Sequence, residues 1–341
     1  MQSLYCRCGQ PVFCDNTLCG ACGRALGFDP FSNTMLSLEP DADGALRAED
    51  GERYALCSNR DQYEVCNGLV ALAENGEDAG NRCHSCVLNR TIPSLRRKRN
   101  ILLWSRLERA KRRMISGLSA LGLDLHAPTS GGPAMMCFDF LEDKRSHPDV
   151  MESFVSTGHK DGVITVNVLE ADDVQRVRQR QLMGERYRTV LGHFRHEAGH
   201  FFYLRLVRDN QAFADLFGDP LDDYDAAMNR YYEAGPPENW ETQWISAYAC
   251  SHPLEDWAEC FAHYLHMQDT LETAAQRGLG PDLTGQAFAQ QMQGWIELSM
   301  SMNEISRSLG VRDAYPFVLT EKVAQKLGFV ARCIEIDGSS S

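Results

Sequence analysis

Nine of the thirteen cysteines lie in the first 86 residues: Cys6, Cys8, Cys14, Cys19, Cys22, Cys57, Cys66, Cys83 and Cys86. Residues 1–92 are otherwise rich in Gly and Asn and carry few long apolar patterns. A segment with so little apolar material does not build an ordinary core and needs a staple. Cysteines clustered this way in a cytosolic chain favour metal over disulfides. Cys6-x-Cys8 with Cys19-x-x-Cys22 supplies four thiolates on tight turns, which suits a tetrahedral structural zinc site. Gly9, Gly20 and Gly23 let the backbone turn so that N–H groups approach the sulfurs. Cys57, Cys66, Cys83 and Cys86 repeat the content with longer loops and predict a second structural zinc. Cys14 is the odd member and can stand in for a neighbour. Cys137, Cys250, Cys260 and Cys333 are scattered and read as small buried hydrophobes.

From Pro93 the character changes. Leu103, Leu107, Met114, Leu118 and Leu121 recur at roughly helical spacing, with RRKRN at 96–100 and RAKRR at 109–113 giving a basic outer face. This predicts a long basic helix over 93–125 linking a domain at 1–92 to another at 126–341. The stretches 40–52, 74–82 and 128–133 read as loops and the final serines as a frayed end. Residues 163–168 alternate apolar and polar and predict a strand. Helical patterns follow at about 173–208, 221–234, 241–249, 254–277, 284–309 and 320–331. One strand region among many helices predicts an α+β domain dominated by helix.

The net charge of −13 argues against a protein that coats nucleic acid. Residues 90–113 nevertheless hold ten basic residues against one acid, Glu108, so a zinc-ribbon nucleic-acid module is the alternative. No apolar run is long enough to span a membrane, and the first residues lack the layout of a secretory signal, so a cytoplasmic location is expected.

FRHEAGHFFYLRLV, residues 194–207, carries the chemistry. Four residues apart on a helix, His196 and His200 share a face and can offer two imidazoles to one ion. Glu197, beside the first, can reach a metal-bound water, which is the metalloprotease arrangement. A catalytic zinc needs a third ligand and an open position. SAYACSHPLEDWAECFAHYLH, residues 246–266, reads as a helix from Leu254 with Glu255 and Glu259 on one face. An acidic pair on an otherwise apolar helix needs a partner, and zinc with its imidazoles is the candidate. The spacing allows either acid as ligand.

HExxH, a Tyr and then an E-x-x-A-E helix resemble the gluzincin metallopeptidases, and Tyr248 with Glu255-Asp256-Trp257-Ala258-Glu259 is similar to the active-site helix of the anthrax lethal factor peptidase domain. More closely, CRCGQPVFCDNTLCGACGRALGFDP, CHSCVLNRTIP, YRTVLGHFRHEAGHFF and ISAYACSHPLEDWAECFAHYLH resemble a bacterial family of zinc-binding metallopeptidases with an N-terminal zinc ribbon. Cys14 departs from the apolar or aromatic residue expected there. The resemblance implies a double zinc ribbon followed by a mostly helical zincin-like domain with a small sheet. It implies His196, His200 and Glu255 as ligands of a catalytic zinc, Glu197 as the base and Tyr248 as donor to the oxyanion. It places Glu259 behind a ligand histidine, and Asp256 is a second candidate to orient one. His252 is a candidate to line the cleft near Tyr248, with an ordinary helix-start residue as the alternative, while His193, His263 and His266 read as packed or solvated helix residues. The strand at 163–168 is expected to be an edge that pairs with extended substrate.

The expected partners are a peptide or protein substrate and a protein docked on the ribbon. A non-catalytic interaction protein that keeps the HExxH site is the further alternative. Elemental analysis should find about three zinc ions per folded chain and about two in His196→Ala. About two in both would remove 194–207 as a metal site.

Overall fold

The computed structural model describes residues 3–42, 44–72, 80–126, 135–182 and 185–338. The expected loop at 128–133, most of the loop at 74–82 and the final serines lie outside the described residues. The chain forms two compact units. The first takes in the described residues up to His126 and those from Met135 to Gln175, and the second those from Arg176 onward.

The first unit opens with a hairpin of β1 (Leu4–Tyr5) and β2 (Pro11–Val12). A five-stranded antiparallel sheet follows, of β3 (Ala25–Asp29), β4 (Thr34–Pro40), β5 (Leu46–Arg47), β6 (Arg53–Leu56) and β7 (Leu69–Ala71), in chain order. The short β5 sits inside the stretch 40–52 that was expected as a loop. Two short helices, α1 (Ser58–Tyr63) and α2 (His84–Val87), begin directly after Cys57 and Cys83, while Cys86 lies within α2 and Cys66 beyond the end of α1.

A four-stranded sheet completes the unit: β8 (Asn89–Thr91), β9 (Cys137–Leu141), β10 (Gly158–Lys160) and β11 (Val163–Asn167), in the order β10-β11-β9-β8. β8 pairs parallel with β9, so the chain between them must cross over, and α3 (Lys98–Ala120) is that crossover. The expected division at 92 and 125 therefore does not separate compact bodies, because strands on both sides of α3 share a sheet. Nor is α3 an exposed basic linker. Leu103, Trp104, Leu107, Met114, Ile115 and Leu118 are buried, and so are Lys111 and Arg112. β11 is not a free edge over 163–165, where β10 and β9 occupy both its sides, contrary to the expected edge.

Buried Lys111 and Glu108 pair with one another in the first unit. Lys111 Nζ, with Glu108 2.9 Å away, donates to Ser85 O at 2.8 Å and Asn89 Oδ1 at 2.5 Å. Trp104 Nε1 and Asn89 Nδ2 donate to Glu108 Oε1. Burial pushes the Glu108 carboxyl up, against the pull of Lys111.

The second unit is helical among the described residues: most of α4 (Asp173–Leu182), then α5 (Val190–Leu206), α6 (Asn210–Phe217), α7 (Tyr224–Ala234), α8 (Pro253–Gln276), α9 (Phe288–Ser308) and α10 (Glu321–Gly338). The pattern expected over 173–208 is two helices, because Thr189 Oγ1 caps α5 by accepting from Gly192 N. The expected helix at 241–249 is two 3₁₀ turns, Trp240–Thr242 and Tyr248–Cys250.

The central contact of this unit is the crossing of α5 and α8 at Gly199 and Ala258. A Cβ on Gly199 would lie 2.8 Å from the Ala258 Cα, so only glycine permits this approach. Trp257 Nε1 donates to Gly199 O at 2.8 Å, and the indole packs among Phe213, Phe217 and Phe329. Lys326 of α10 reaches Asp256 of α8 at 2.5 Å.

Two substitutions test this account. Gly199→Ala should lower stability by about 1–3 kcal/mol through overpacking, although alanine in an exposed helix would add about 1 kcal/mol; the urea midpoint checks the sign. Lys111→Met should cost about 3–5 kcal/mol by leaving Glu108 buried and unpaired, and adding Glu108→Leu should recover much of that loss in the same assay.

Candidate metal centres

Three groups of side chains converge as sets that could hold a metal ion, each with its ligand atoms within 4.8 Å of one another. The first is Cys6, Cys8, Cys19 and Cys22. Cys6 Sγ lies 3.6 Å from Cys22 Sγ, and Cys8 Sγ 3.6 Å from Cys19 Sγ. A tetrahedron with Zn–S of about 2.3 Å has edges of about 3.8 Å, so the sulfurs fit zinc. Gly9 and Gly23 take the left-handed conformation the two turns need, whereas Gly20 does not. The Arg24 backbone N–H holds the Cys22 thiol down, to about 6, which favours the thiolate. Cys14 is buried outside this group, with its carbonyl accepting from Asn67 Nδ2.

The second group, Cys57, Cys66, Cys83 and Cys86, is fully buried. Cys83 N donates to Cys57 Sγ at 3.3 Å. A Cβ on Gly68 would fall 2.3 Å from Cys83 Sγ, so the cradle tolerates no side chain there. Four buried sulfurs able to ionise need compensating positive charge, which a divalent cation supplies. Buried Arg60 and Lys111 border the group and add to that charge. Neither they nor Gly68 was singled out from the sequence, since nothing in it brings α1, α3 and the cysteine loops together.

The third group is His196, His200 and Glu255. The α5–α8 crossing brings them together: His196 and His200 flank Gly199, and Glu255 lies one turn before Ala258. The two Nε2 atoms are 3.2 Å apart. Glu255 places Oε2 at 2.9 Å from His196 Nε2 and Oε1 at 3.4 Å from His200 Nε2. Two imidazoles and a carboxylate converging in this way match a zinc ligand set.

Glu259 occupies the other side of the His196 ring, with Oε1 at 2.7 Å from Nδ1. A carboxylate can only accept there, so Nδ1 carries a proton, and Nε2, directed at Glu255 and His200, is the nitrogen that would face an ion. Burial would raise the Glu259 carboxyl, but the His196 hydrogen bond and charge outweigh it and hold it down at about 2. Glu197 is also buried, and there burial dominates and pushes the carboxyl up. The Tyr248 ring lies 5.9 Å from the His196 ring.

Asp256 does not orient a ligand histidine. It accepts from Lys326 Nζ and Cys260 Sγ, because it faces α10 on the far side of α8. His252 caps α8, with Nδ1 accepting from Leu254 N at 3.1 Å, and stacks edge-on against Tyr224. His263 contacts the Tyr315 hydroxyl and His266 contacts Arg195, both as packed residues. Tyr224 went unnoticed in the sequence, yet its hydroxyl donates to Glu255 Oε1 at 2.7 Å.

Four arginines of the basic stretch are paired with acids. Arg97 pairs with Glu142, Arg99 with Asp172, Arg106 with Asp173 and Arg109 with Asp15. Among the described residues no helix is long and apolar enough to cross a membrane.

Residues 100–333 match the model of a family described as "Putative zinc-binding metallo-peptidase", and residues 3–97 match a zinc-ribbon domain. Uncharacterised proteins of Mycobacterium bovis and of two strains of Mycobacterium tuberculosis are each 38% identical to the chain over 348 aligned positions, which span 98% of this chain and 96% of the relative. No solved structure matches the chain. The converging histidines and carboxylate, the two cysteine groups and both family matches lead to one conclusion: the chain belongs to this family of zinc-binding metallopeptidases and carries its zinc ribbon at the N-terminal side.

Proposed function

We propose that the protein is a gluzincin-type peptidase that hydrolyses peptide bonds with one catalytic zinc and holds two further zinc ions structurally. The observation that carries this reading is the convergence of His196, His200 and Glu255 beside a buried Glu197 in a chain of this family. His196, His200 and Glu255 would hold the catalytic ion, and the two cysteine groups the structural ones. When bound, zinc supplies the Lewis acidity that makes water nucleophilic near neutral pH and polarises the scissile carbonyl.

The chain's own groups do the proton work. Glu197 takes the proton from the attacking water and returns it to the leaving amine. A carboxyl raised by burial suits both steps, since it is closer to the working pH than an exposed one. Tyr248, beside His196, donates to the oxyanion that forms during attack. Glu259 holds His196 in the tautomer that presents Nε2.

The ribbon is read as a docking module for a protein partner, with exposed Tyr5, Phe13 and Leu18 as its apolar contacts. Thirteen free cysteines suit a reducing compartment, and the cytoplasm is the proposed location.

Glu197→Gln should leave the metal content and fold unchanged and lower peptide turnover by about 10²–10⁴-fold. Mass spectrometry of a peptide library incubated with wild type and variant reads the difference. Undiminished cleavage by the variant would reject Glu197 as the base.

A further inference from the structure

Glu255 is 1% exposed, and a buried carboxylate needs its oxygens satisfied in one orientation. The imidazoles of α5 face it from one side. From outside that pair, the Tyr224 hydroxyl of α7 donates to Oε1 at 2.7 Å. Tyr224 is itself held in place. Asp223 caps α7 by accepting from Ala226 N, and the Tyr224 ring packs edge-on against His252 at 5.0 Å between centroids. His252 joins the starts of the two helices: Nδ1 accepts from Leu254 N of α8, and Nε2 lies 3.0 Å from Asp222 O, two residues before Tyr224. With Nδ1 accepting, Nε2 is the protonated nitrogen and donates to that carbonyl.

Resting on the reading of Glu255 as a zinc ligand, we infer that Tyr224, braced by His252, is a positioning residue that sets the Glu255 carboxylate for metal binding. A glutamate has three side-chain torsions to fix, whereas the tyrosine holding it has two and, although 42% exposed, rests its ring against His252. The hydroxyl bond therefore removes freedom from the ligand before the ion arrives, and that raises affinity without adding a ligand. The phenol keeps its proton at neutral pH, so it acts as donor to the carboxylate and leaves the remaining lone pairs facing the imidazoles. Nothing in the spacing of the HExxH or E-x-x-A-E stretches points to this residue, because α7 is a separate helix.

The test is a Co²⁺ titration of the full chain against a competing chelator, with circular dichroism to confirm folding. Tyr224→Phe keeps the ring and its packing and removes only the hydroxyl. It should weaken Co²⁺ binding at the histidine site by about 10–100-fold while the two cysteine sites keep their affinity. His252→Asn keeps a capping acceptor but removes the ring against Tyr224, and should weaken the same site by a smaller factor. In a Glu255→Ala background, which removes the acceptor, the further effect of Tyr224→Phe should fall to about twofold or less, since the two act as one unit. If Glu255→Gln loses affinity while Tyr224→Phe and His252→Asn match wild type, Tyr224 is packing alone and the inference falls, with the zinc-site reading intact. If Glu255→Gln also binds like wild type, the ligand assignment falls and the inference with it.

Discussion

The site depends on how closely α5 and α8 approach. With no side chain at Gly199 and a small one at Ala258, the backbones meet, and the carboxylate one turn before Ala258 arrives opposite two imidazoles. Trp257 reinforces the contact by donating to the Gly199 carbonyl and filling the space behind it with aromatic carbon. The glycine inside HEAGH is therefore a packing residue whose consequence is electrostatic. Any side chain there would separate the helices and draw Glu255 away from His196 and His200.

Around that crossing, four acids of similar chemistry are separated by what they face. Glu255 looks at the two Nε2 atoms, and Glu259 looks at Nδ1 of the same His196. Glu197, next to His196 in the chain, is pushed up by burial. Asp256, adjacent to Glu255 in sequence, points to the far side of α8 and is held by Lys326. Helical geometry alone separates neighbours by about 100°, so adjacent acids serve different ends.

The first unit solves a different problem with related means. The first cysteine set packs with Leu4, Val12, Leu26 and Phe28, whereas the second forms a cluster of sulfur alone, bordered by buried cations. Arg60 donates to the carbonyls of Leu26, Asn67 and Thr17, joining the segments that carry the two cysteine sets. Lys111 ties α3 to the loop of Cys83 and Cys86 through Ser85. Residues that look like a solvated basic face in the sequence are thus partly internal struts and partly paired with acids of the same unit.

The sequence by itself determined the elements whose cause is local. The two sets of four cysteines, the HEAGH spacing and the helix from about 254 are short-range patterns in which residue type and interval carry the chemistry. The observed groups contain those residues. Local signals also misled: 173–208 reads as one helix until the Thr189 cap divides it, and 163–168 reads as an edge until β9 and β10 pair on both sides of 163–165. Tertiary structure alone decided that α3 is a buried crossover, that Asp256 turns away from the histidines and that Tyr224 reaches Glu255. Each of these depends on which distant backbone comes within hydrogen-bonding distance, and periodicity along a chain does not encode that.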